Sequence, residues 1–175
     1  MTEKKEKILE AALELFAKEG YRSTSTSKVA KLAGVSEGLI FRHFGNKEGL
    51  LDAIVAEGEE RAKALFADIV LETDPKEVLR KTIFMGTKMT DNPAASDFWK
   101  LQYKIKWELE QYGEHKMEPL QMALTNAFEK LDYPHPHAEA LLLMMLLDGV
   151  ATRYYLSKEF DLQKVLIALT RRYQI

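Results

Sequence analysis

Residues 26–44 carry the side chains most suited to recognising another molecule. Two short segments with helical spacing, 28–33 and 37–44, are separated by Gly34-Val35-Ser36. A tight glycine turn between two short helices is the arrangement of a helix-turn-helix unit, whose second helix can enter the major groove of DNA. The apolar residues are spaced to pack the pair inward, which leaves an outer face of Glu37, Gly38, Leu39, Arg42 and His43.

The spacing of this unit is compatible with two interpretations. Residues 1–50 hold nine Lys/Arg against seven Asp/Glu, whereas the rest of the chain holds 16 against 20, so the basic balance lies where DNA would bind. An ordinary helical corner would show the same short helices around a glycine, because such patterns are common. Spacing alone therefore leaves DNA binding and a purely structural corner as alternatives.

The elements that must position this unit are helical throughout. Apolar residues recur at helical spacing, proline and glycine fall at segment boundaries, and no segment alternates as a half-buried strand would. The pattern predicts an all-α fold of about nine helices. After a first helix ending near Gly20 and a fourth beginning at Asn46, the later helices are predicted at 75–91, 93–112, 115–131, 138–157 and 161–173.

Composition excludes several classes of protein. The chain has 175 residues, of which 46% are hydrophobic and 30% charged, enough apolar content for a packed core. It has no cysteine, which excludes disulfides, thiol nucleophiles and cysteine-ligated metal sites. The charged start is not a secretory signal, and no apolar run approaches the roughly 18 residues of a membrane span. We therefore expect a soluble, cytoplasmic protein with no membrane association.

Several short motifs stand at fixed spacing between residues 8 and 51. They are Ala11-Ala12 with Leu15-Phe16, Gly20-Tyr21, Thr26 with Val29-Ala30, Ala33-Gly34-Val35-Ser36, Phe41-Arg42-His43-Phe44, and Asn46-Lys47-Glu48 before Leu50-Leu51. Together they resemble the N-terminal DNA-binding domain of the tetracycline-repressor (TetR) family. The resemblance covers about a quarter of the chain, and the later helices agree with the family in number, length and order. It implies a DNA-binding domain over 1–47 and a helical effector-binding and dimerisation domain over 48–175.

The resemblance also assigns roles within the unit. Thr26 and Ser27 would hold a phosphate at the start of the second helix. Arg42 would pair with guanine or phosphate, and Glu37 would accept from cytosine or simply favour the helix N-terminus. Phe41 stands where the family most often has tyrosine, so a hydroxyl that reaches phosphate is missing, although the ring can still pack or contact a thymine methyl. The residues expected to contact DNA are Thr26, Ser27, Glu37, Gly38, Leu39, Phe41, Arg42, His43 and Lys47, the family's backbone clamps being His43 and Lys47.

The aromatic stretch at 98–112 contains two apolar stripes on one helix. Phe98 and Leu101 belong to a stripe that suffices as core, while Trp99, Tyr103 and Trp107 form a second stripe that must be packed or line a cavity. Core packing and a pocket remain alternatives, and the resemblance implies a pocket for a small apolar or aromatic effector. Its expected lining is Phe84, Met85, Lys88, Trp99, Tyr103, Trp107, Met122, Met145 and Asp148.

Asp148 ends a run of eight apolar residues that begins at Ala140. A carboxylate in such surroundings must be paired, protonated or matched by a ligand's cation, and Arg153 is one internal partner. The apolar run itself must be covered all round, either as the centre of its own domain or by a second chain. We expect a homodimer through helices 138–157 and 161–173, with recognition helices roughly 34–36 Å apart on a palindromic double-stranded operator.

The remaining polar clusters carry less information. His115, His135, His137 and Glu139 fit a solvated turn better than a metal site, since two histidines two residues apart share no helical face. We expect no metal, no cofactor and no enzymatic activity, because no catalytic constellation occurs. The sequence as a whole predicts a transcriptional repressor released from its operator by a small hydrophobic effector. The alternative is a helical DNA-organising protein that responds to no ligand.

Overall fold

The computed structural model describes residues 3–88, 93–110 and 114–175, and for residues 61, 62, 64, 65, 88, 93 and 114–116 it describes the backbone alone. The regular structure in these ranges is entirely α-helical, which confirms the predicted all-α fold. None of the described helices is long and apolar enough to cross a membrane. The helices are α1 (Glu3–Glu19), α2 (Thr26–Ala33), α3 (Glu37–Phe44), α4 (Lys47–Val70), α5 (Pro75–Lys88), α6 (Pro93–Glu108), α7 (Glu114–Lys130), α8 (Pro136–Leu156) and α9 (Leu162–Tyr173).

Helix boundaries follow local capping chemistry. The α2 helix begins two residues earlier than predicted because the Ser25 hydroxyl accepts a hydrogen bond from the Lys28 N–H at 3.2 Å. The α5 helix begins as predicted, with Asp74 Oδ1 accepting from the Lys76 N–H at 2.8 Å and proline at the first helical position. The α6 helix ends at Glu108 instead of 112, and residues 111–113 lie outside the described ranges.

The chain packs into two compact units. The first comprises Met1–Ala62 and Met89–Tyr112, and the second comprises Lys63–Lys88 and Gly113–Ile175. The predicted boundary after residue 47 does not coincide with this division, because the first turns of α4 and the whole of α6 pack with the N-terminal helices. A functional division into 1–47 and 48–175 stays a prediction.

The core of the first unit joins distant parts of the sequence. Phe16 from α1, Ile40 from α3 and Leu50 from α4 are fully buried, and Leu101 from α6 is buried with them. The contact between α1 and α6 makes α6 part of the platform that supports α2 and α3.

The core of the second unit is built by the end of α4 together with α5, α7, α8 and α9. Leu79, Leu124 and Leu143 are fully buried there. Phe128 packs its ring against Tyr133 and Tyr173, with ring centroids 4.9 and 5.5 Å away. This cluster attaches the C-terminal helix to α7.

Candidate nucleic-acid interface

The turn between α2 and α3 is built on Gly34. Its backbone is left-handed, with φ 67° and ψ 34°, a conformation that glycine adopts without steric cost. The Gly34 N–H donates to the Lys31 carbonyl at 3.4 Å and the Val35 N–H donates to the Ala30 carbonyl at 3.0 Å, which is the Schellman pattern of a helix C-terminus. Val35 then packs partly against the core of the first unit. This turn sets where α3 begins.

The α3 helix is anchored on one side and exposed on the other. Ile40 is fully buried, whereas Gly38, Arg42 and His43 are exposed, as the sequence predicted for the outer face. Phe41 is also exposed, at 46%, so its ring is available to another molecule. Leu39, predicted on the outer face, is half-buried and packs partly against the core.

Thr26 and Glu37 were assigned separate contacts with DNA, yet the structure brings them together. The Thr26 hydroxyl donates to Glu37 Oε1 at 2.5 Å, and both side chains are half-buried. Ser27, the next residue, is exposed. The first residue of α2 therefore contacts the first residue of α3.

Lys47 lies at the start of α4, against the turn that follows α1. Its Nζ is 4.3 Å from the centroid of the Tyr21 ring and donates to the Arg22 carbonyl at 3.4 Å. Burial lowers the pKa of Lys47, and the negative charge of Glu108 acts in the opposite direction. The Lys47 ammonium group is thus held by the turn that joins α1 to α2.

Sequence reasoning missed Glu108, which α6 brings to the same turn. Its Oε2 accepts from the Arg22 N–H at 3.1 Å. Its Oε1 occupies the space that a Cβ at Gly20 would need, and Gly20 has φ 94°. A second α6 side chain, Lys104, donates to the Lys18 carbonyl at 2.8 Å. These partners lie 86 residues apart, so no local pattern could have indicated them.

Comparison with known proteins bears directly on these helices. The sequence pattern described as "Bacterial regulatory proteins, tetR family" matches residues 8–54, which run from Ile8 in α1 through α2 and α3 into the start of α4. Residues 8–54 therefore carry the tetR-family pattern. This confirms the resemblance inferred from its motifs.

Curated relatives match the chain over part of their length. YvkB of Bacillus subtilis, an uncharacterized HTH-type transcriptional regulator, is 36% identical over 81 residues, which are 46% of this chain and 40% of YvkB. The HTH-type transcriptional repressor AcnR of Corynebacterium glutamicum is 32% identical over 108 residues, 62% of this chain and 52% of AcnR. The chain therefore spans about half or less of these relatives.

Solved structures resemble the chain over nearly its full length. FadR of Bacillus subtilis in complex with stearoyl-CoA gives a TM-score of 0.72 at 21% identity, with 95% of each chain covered. A candidate transcriptional regulator from Saccharomonospora viridis in complex with choline gives 0.79 at 17% identity, covering 98% of this chain and 95% of that one. At these identities the likeness shows the fold.

The predicted effector-binding residues of the first unit differ in exposure. Trp99 and Tyr103 are half-buried on α6, and the Trp99 ring packs edge-on against Phe98 with centroids 5.2 Å apart. Trp107 was predicted to point inward and is 83% exposed. It lies two residues after buried Ile105, and side chains two apart on a helix do not share a face.

The second unit holds the other predicted lining residues. Phe84 and Met85 pack partly against its core, and Asp148 is half-buried. Met122 and Met145, also predicted to point inward, are 66% and 67% exposed. Each again stands two residues after a buried leucine, at 120 and 143. The Lys88 side chain lies outside the described part of the chain.

The turn that contains His135 and His137 was considered above as a metal site. His135 and His137 are exposed around Pro136, the first residue of α8. Within the residues the structure describes, no group of three or more His, Asp or Glu side chains is arranged to hold a metal ion. The His115 side chain lies outside that part.

Proposed function

We propose that the chain is a DNA-binding transcriptional regulator that represses transcription and leaves a palindromic operator when a small hydrophobic effector binds. The observation that carries this proposal is the helix-turn-helix unit, in which α3 presents Phe41, Arg42 and His43 outward while Ile40 anchors it. AcnR, which is 32% identical over 108 residues, is named a repressor, and this supports repression here. The proposed site of action is the cytoplasm.

The DNA contacts follow from side-chain type and exposure. Arg42 is exposed and offers the planar donor pair that matches guanine in the major groove, or a phosphate. His43 and Lys47 supply positive or donor groups at the end of α3 and the start of α4, where backbone phosphates would pass. Phe41 offers an apolar ring to a thymine methyl. Ser27 is exposed at the first turn of α2, where backbone N–H groups favour phosphate.

Two substitutions test the DNA interface, and they should differ. Lys47→Ala should weaken binding to all sequences and reduce the slope of log affinity against log salt by roughly one unit. Arg42→Ala should relax the preference at one base pair by about 1–3 kcal/mol. Footprinting genomic DNA fragments with the wild type gives the operator, and titrations at several salt concentrations give both quantities. Wild-type footprints from both variants would contradict the interface.

Dimerisation is the second part of the proposal. The apolar side chains of Leu142, Met145 and Leu146 on α8 and Ile167 on α9 are exposed in the single chain. An exposed apolar surface on two neighbouring helices is what a second copy would cover in a two-fold interface. We propose that residues 48–175 form the dimerising, effector-binding domain and residues 1–47 the DNA-binding domain.

The effector is proposed to be apolar or aromatic. The complexes of FadR with stearoyl-CoA and of the Saccharomonospora viridis protein with choline support a small-molecule effector, the first with a long apolar chain and the second with a cation. Within the first unit, half-buried Trp99 and Tyr103 offer aromatic contact surface. Within the second unit, half-buried Phe84 and Met85 offer a separate apolar surface.

One observation favours the alternative of a DNA-binding protein that senses nothing. Three of the predicted lining residues, Trp107, Met122 and Met145, are exposed. Tryptophan fluorescence measured across a panel of fatty acyl, aromatic and quaternary ammonium compounds separates the two functions, with Trp99→Phe and Trp107→Phe as matched variants. We expect quenching that survives Trp107→Phe, is lost in Trp99→Phe, and accompanies release from the operator. If no compound both quenches and releases DNA, the alternative replaces effector sensing.

A further inference from the structure

A hydrogen bond attaches the far end of α2 to the start of α3. Thr26 opens α2 and Glu37 opens α3, and the Thr26 hydroxyl donates to Glu37 Oε1 at 2.5 Å across 11 residues of sequence. The turn at Gly34 joins the opposite, C-terminal end of α2 to α3. With an attachment at each end of α2, the angle between the two helices is restrained more strongly than by the turn alone.

The bond limits what Thr26 can do for DNA. A threonine hydroxyl has a single proton to donate, and here the proton is directed at the Glu37 carboxylate. Phosphate oxygens are acceptors and need that same proton. The adjacent carboxylate adds a negative charge, which repels a phosphate at this point. Thr26 cannot hold Glu37 and a phosphate through its hydroxyl at the same time.

The bond also engages Glu37. Its carboxylate lies in the first turn of α3, where the helix dipole favours a negative charge, and it accepts a hydrogen bond from α2. Glu37 is half-buried, unlike the exposed Gly38, Arg42 and His43 of the same helix. Its partner, position and exposure all match a group that holds α3 in place.

We propose that Thr26 and Glu37 form a tether that positions α3 for the major groove, so that Glu37 does not read a base and the Thr26 hydroxyl does not bind a phosphate. This proposal rests on the proposed DNA-binding function. It assigns base preference to the exposed side chains Phe41 and Arg42. It also replaces the two independent DNA contacts that the family resemblance implies for these residues.

A double-mutant cycle tests the tether. Thr26→Val and Glu37→Ala each remove it, whereas Thr26→Ser keeps the donor and Glu37→Gln keeps an acceptor. We expect each disrupting variant to bind the operator about 5- to 30-fold more weakly, within the range for loss of one hydrogen bond. The Thr26→Val/Glu37→Ala double variant should bind no more weakly than the weaker single variant. Thr26→Ser and Glu37→Gln should recover most of the lost affinity.

Base preference distinguishes a positioning role from a base contact, because loss of a positioning residue should leave the relative affinities for different operators unchanged. Each variant is titrated against a panel of operators with every base pair replaced in turn, and the relative preferences should match those of the wild type. Preference relaxed about 10- to 100-fold at one base pair in Glu37→Ala would identify a base contact and overturn the proposal. If the fold-losses in operator affinity of the two single variants multiply in the double variant, Thr26 and Glu37 make independent contacts. That result would also overturn the proposal.

Thermal unfolding of the same variants tests the tether independently of DNA binding. We expect each disrupting variant to lower Tm by about 2–4 °C, and the double variant to lower it no further than the single ones. If the wild type footprints no DNA while the Tm losses are shared, DNA binding fails and the tether stands. If the Tm losses are additive, the tether fails, whatever the protein binds.

Discussion

At the scale of single residues, Gly38 is a glycine that the fold does not require. It lies on the exposed face of α3, inside a regular helix, where glycine costs roughly 0.5–1 kcal/mol relative to alanine. A Cβ added there would meet no atom of the described residues within 4 Å. Gly34 is different, because its φ of 67° demands glycine. A glycine with a cost and no structural benefit, on the face proposed to meet DNA, is consistent with close approach of another molecule.

Gly38→Ala should therefore separate stability from DNA binding. We expect urea unfolding to show an increase in stability of about 0.5–1 kcal/mol, since alanine is the better helix former. Operator affinity should fall, because the added methyl group lies where DNA approaches. Gly34→Ala is the control and should lower stability, since alanine is strained at that φ. An unchanged affinity in Gly38→Ala would show that this part of α3 does not face DNA.

At the scale of elements, α6 carries two polar contacts to the end of α1. Glu108 accepts the Arg22 N–H and Lys104 donates to the Lys18 carbonyl, while Leu101 packs in the core below them. The turn fixed by Glu108 also contacts Lys47, through the Tyr21 ring and the Arg22 carbonyl. A change at the end of α6 can thus reach the start of α4 through one turn.

Glu108→Ala should weaken this turn. The Arg22 N–H loses its carboxylate, and we expect a loss of about 1 kcal/mol in unfolding free energy together with weaker operator binding. Glu110→Ala removes the same charge two residues further along and serves as the control. Urea unfolding and operator titration measure both effects. Equal behaviour of the two variants would mean that only net charge matters here.

The junction of α4 and α5 makes a pH-dependent contribution. Glu72 accepts the N–H groups of Thr73 and Asp74 at 2.8 and 3.1 Å, and its carboxylate lies 2.8 Å from Lys81 Nζ. Lys81 and these two N–H groups lower the pKa of Glu72 from 4.5 to about 2. Because the pKa is depressed in the folded state, the stabilisation is present above pH 4.5 and is lost as the pH falls toward 2.

Glu72→Gln should therefore flatten the acid limb of the stability curve. Between pH 5 and pH 2 we expect the Tm of the wild type to fall further than that of the variant. The Glu72 carboxylate, whose pKa is about 2 in the folded protein, takes up a proton as the pH falls, whereas glutamine does not titrate. Tm measured by circular dichroism across this pH range is the test. Glu129→Gln, a carboxylate of the same unit on α7, is the control and should follow the wild type. Parallel curves for Glu72→Gln and the wild type would contradict the assignment.

At the scale of the whole molecule, assembly decides how two α3 helices would meet one operator. The centre of α8 has buried residues at Ala140 and Leu143 and exposed ones at Leu142, Met145 and Leu146. The buried residues anchor α8 in its own unit. The exposed ones form the surface that we propose a second copy covers. The domain centre thus accounts for the buried face of the helix, and the partner interface is the proposal for its exposed face.

Met145→Glu should separate dimer from monomer. Met145 is 67% exposed in the single chain, so a carboxylate there leaves the monomer folded but would be buried unpaired in a dimer. We expect the wild type to sediment as a dimer at micromolar concentration and the variant as a folded monomer. Leu71→Glu, at an apolar residue that is 78% exposed outside α8 and α9, should remain dimeric. A wild type that sediments as a folded monomer would exclude the interface.

Features that depend on neighbours within a few residues could be predicted from the sequence. Caps at Asp74 and Asp161 each accept a backbone N–H of the helix that follows, as their positions before α5 and α9 predict. Gly34 ends α2 because the chain must take a left-handed φ there. The helical fold, the helix-turn-helix unit and the family follow from such local patterns, because helix formation and capping are local interactions.

Which helix faces meet depends on how the helices pack together. Glu108 reaches Arg22 across 86 residues, and Thr26 reaches Glu37 across 11, so the partners appear only when the helices pack. The exposed positions of Trp107 and Met145 were likewise beyond the sequence pattern. A helix with apolar residues on two faces has no single preferred side, and the packing of the neighbouring helices selects the face that is buried.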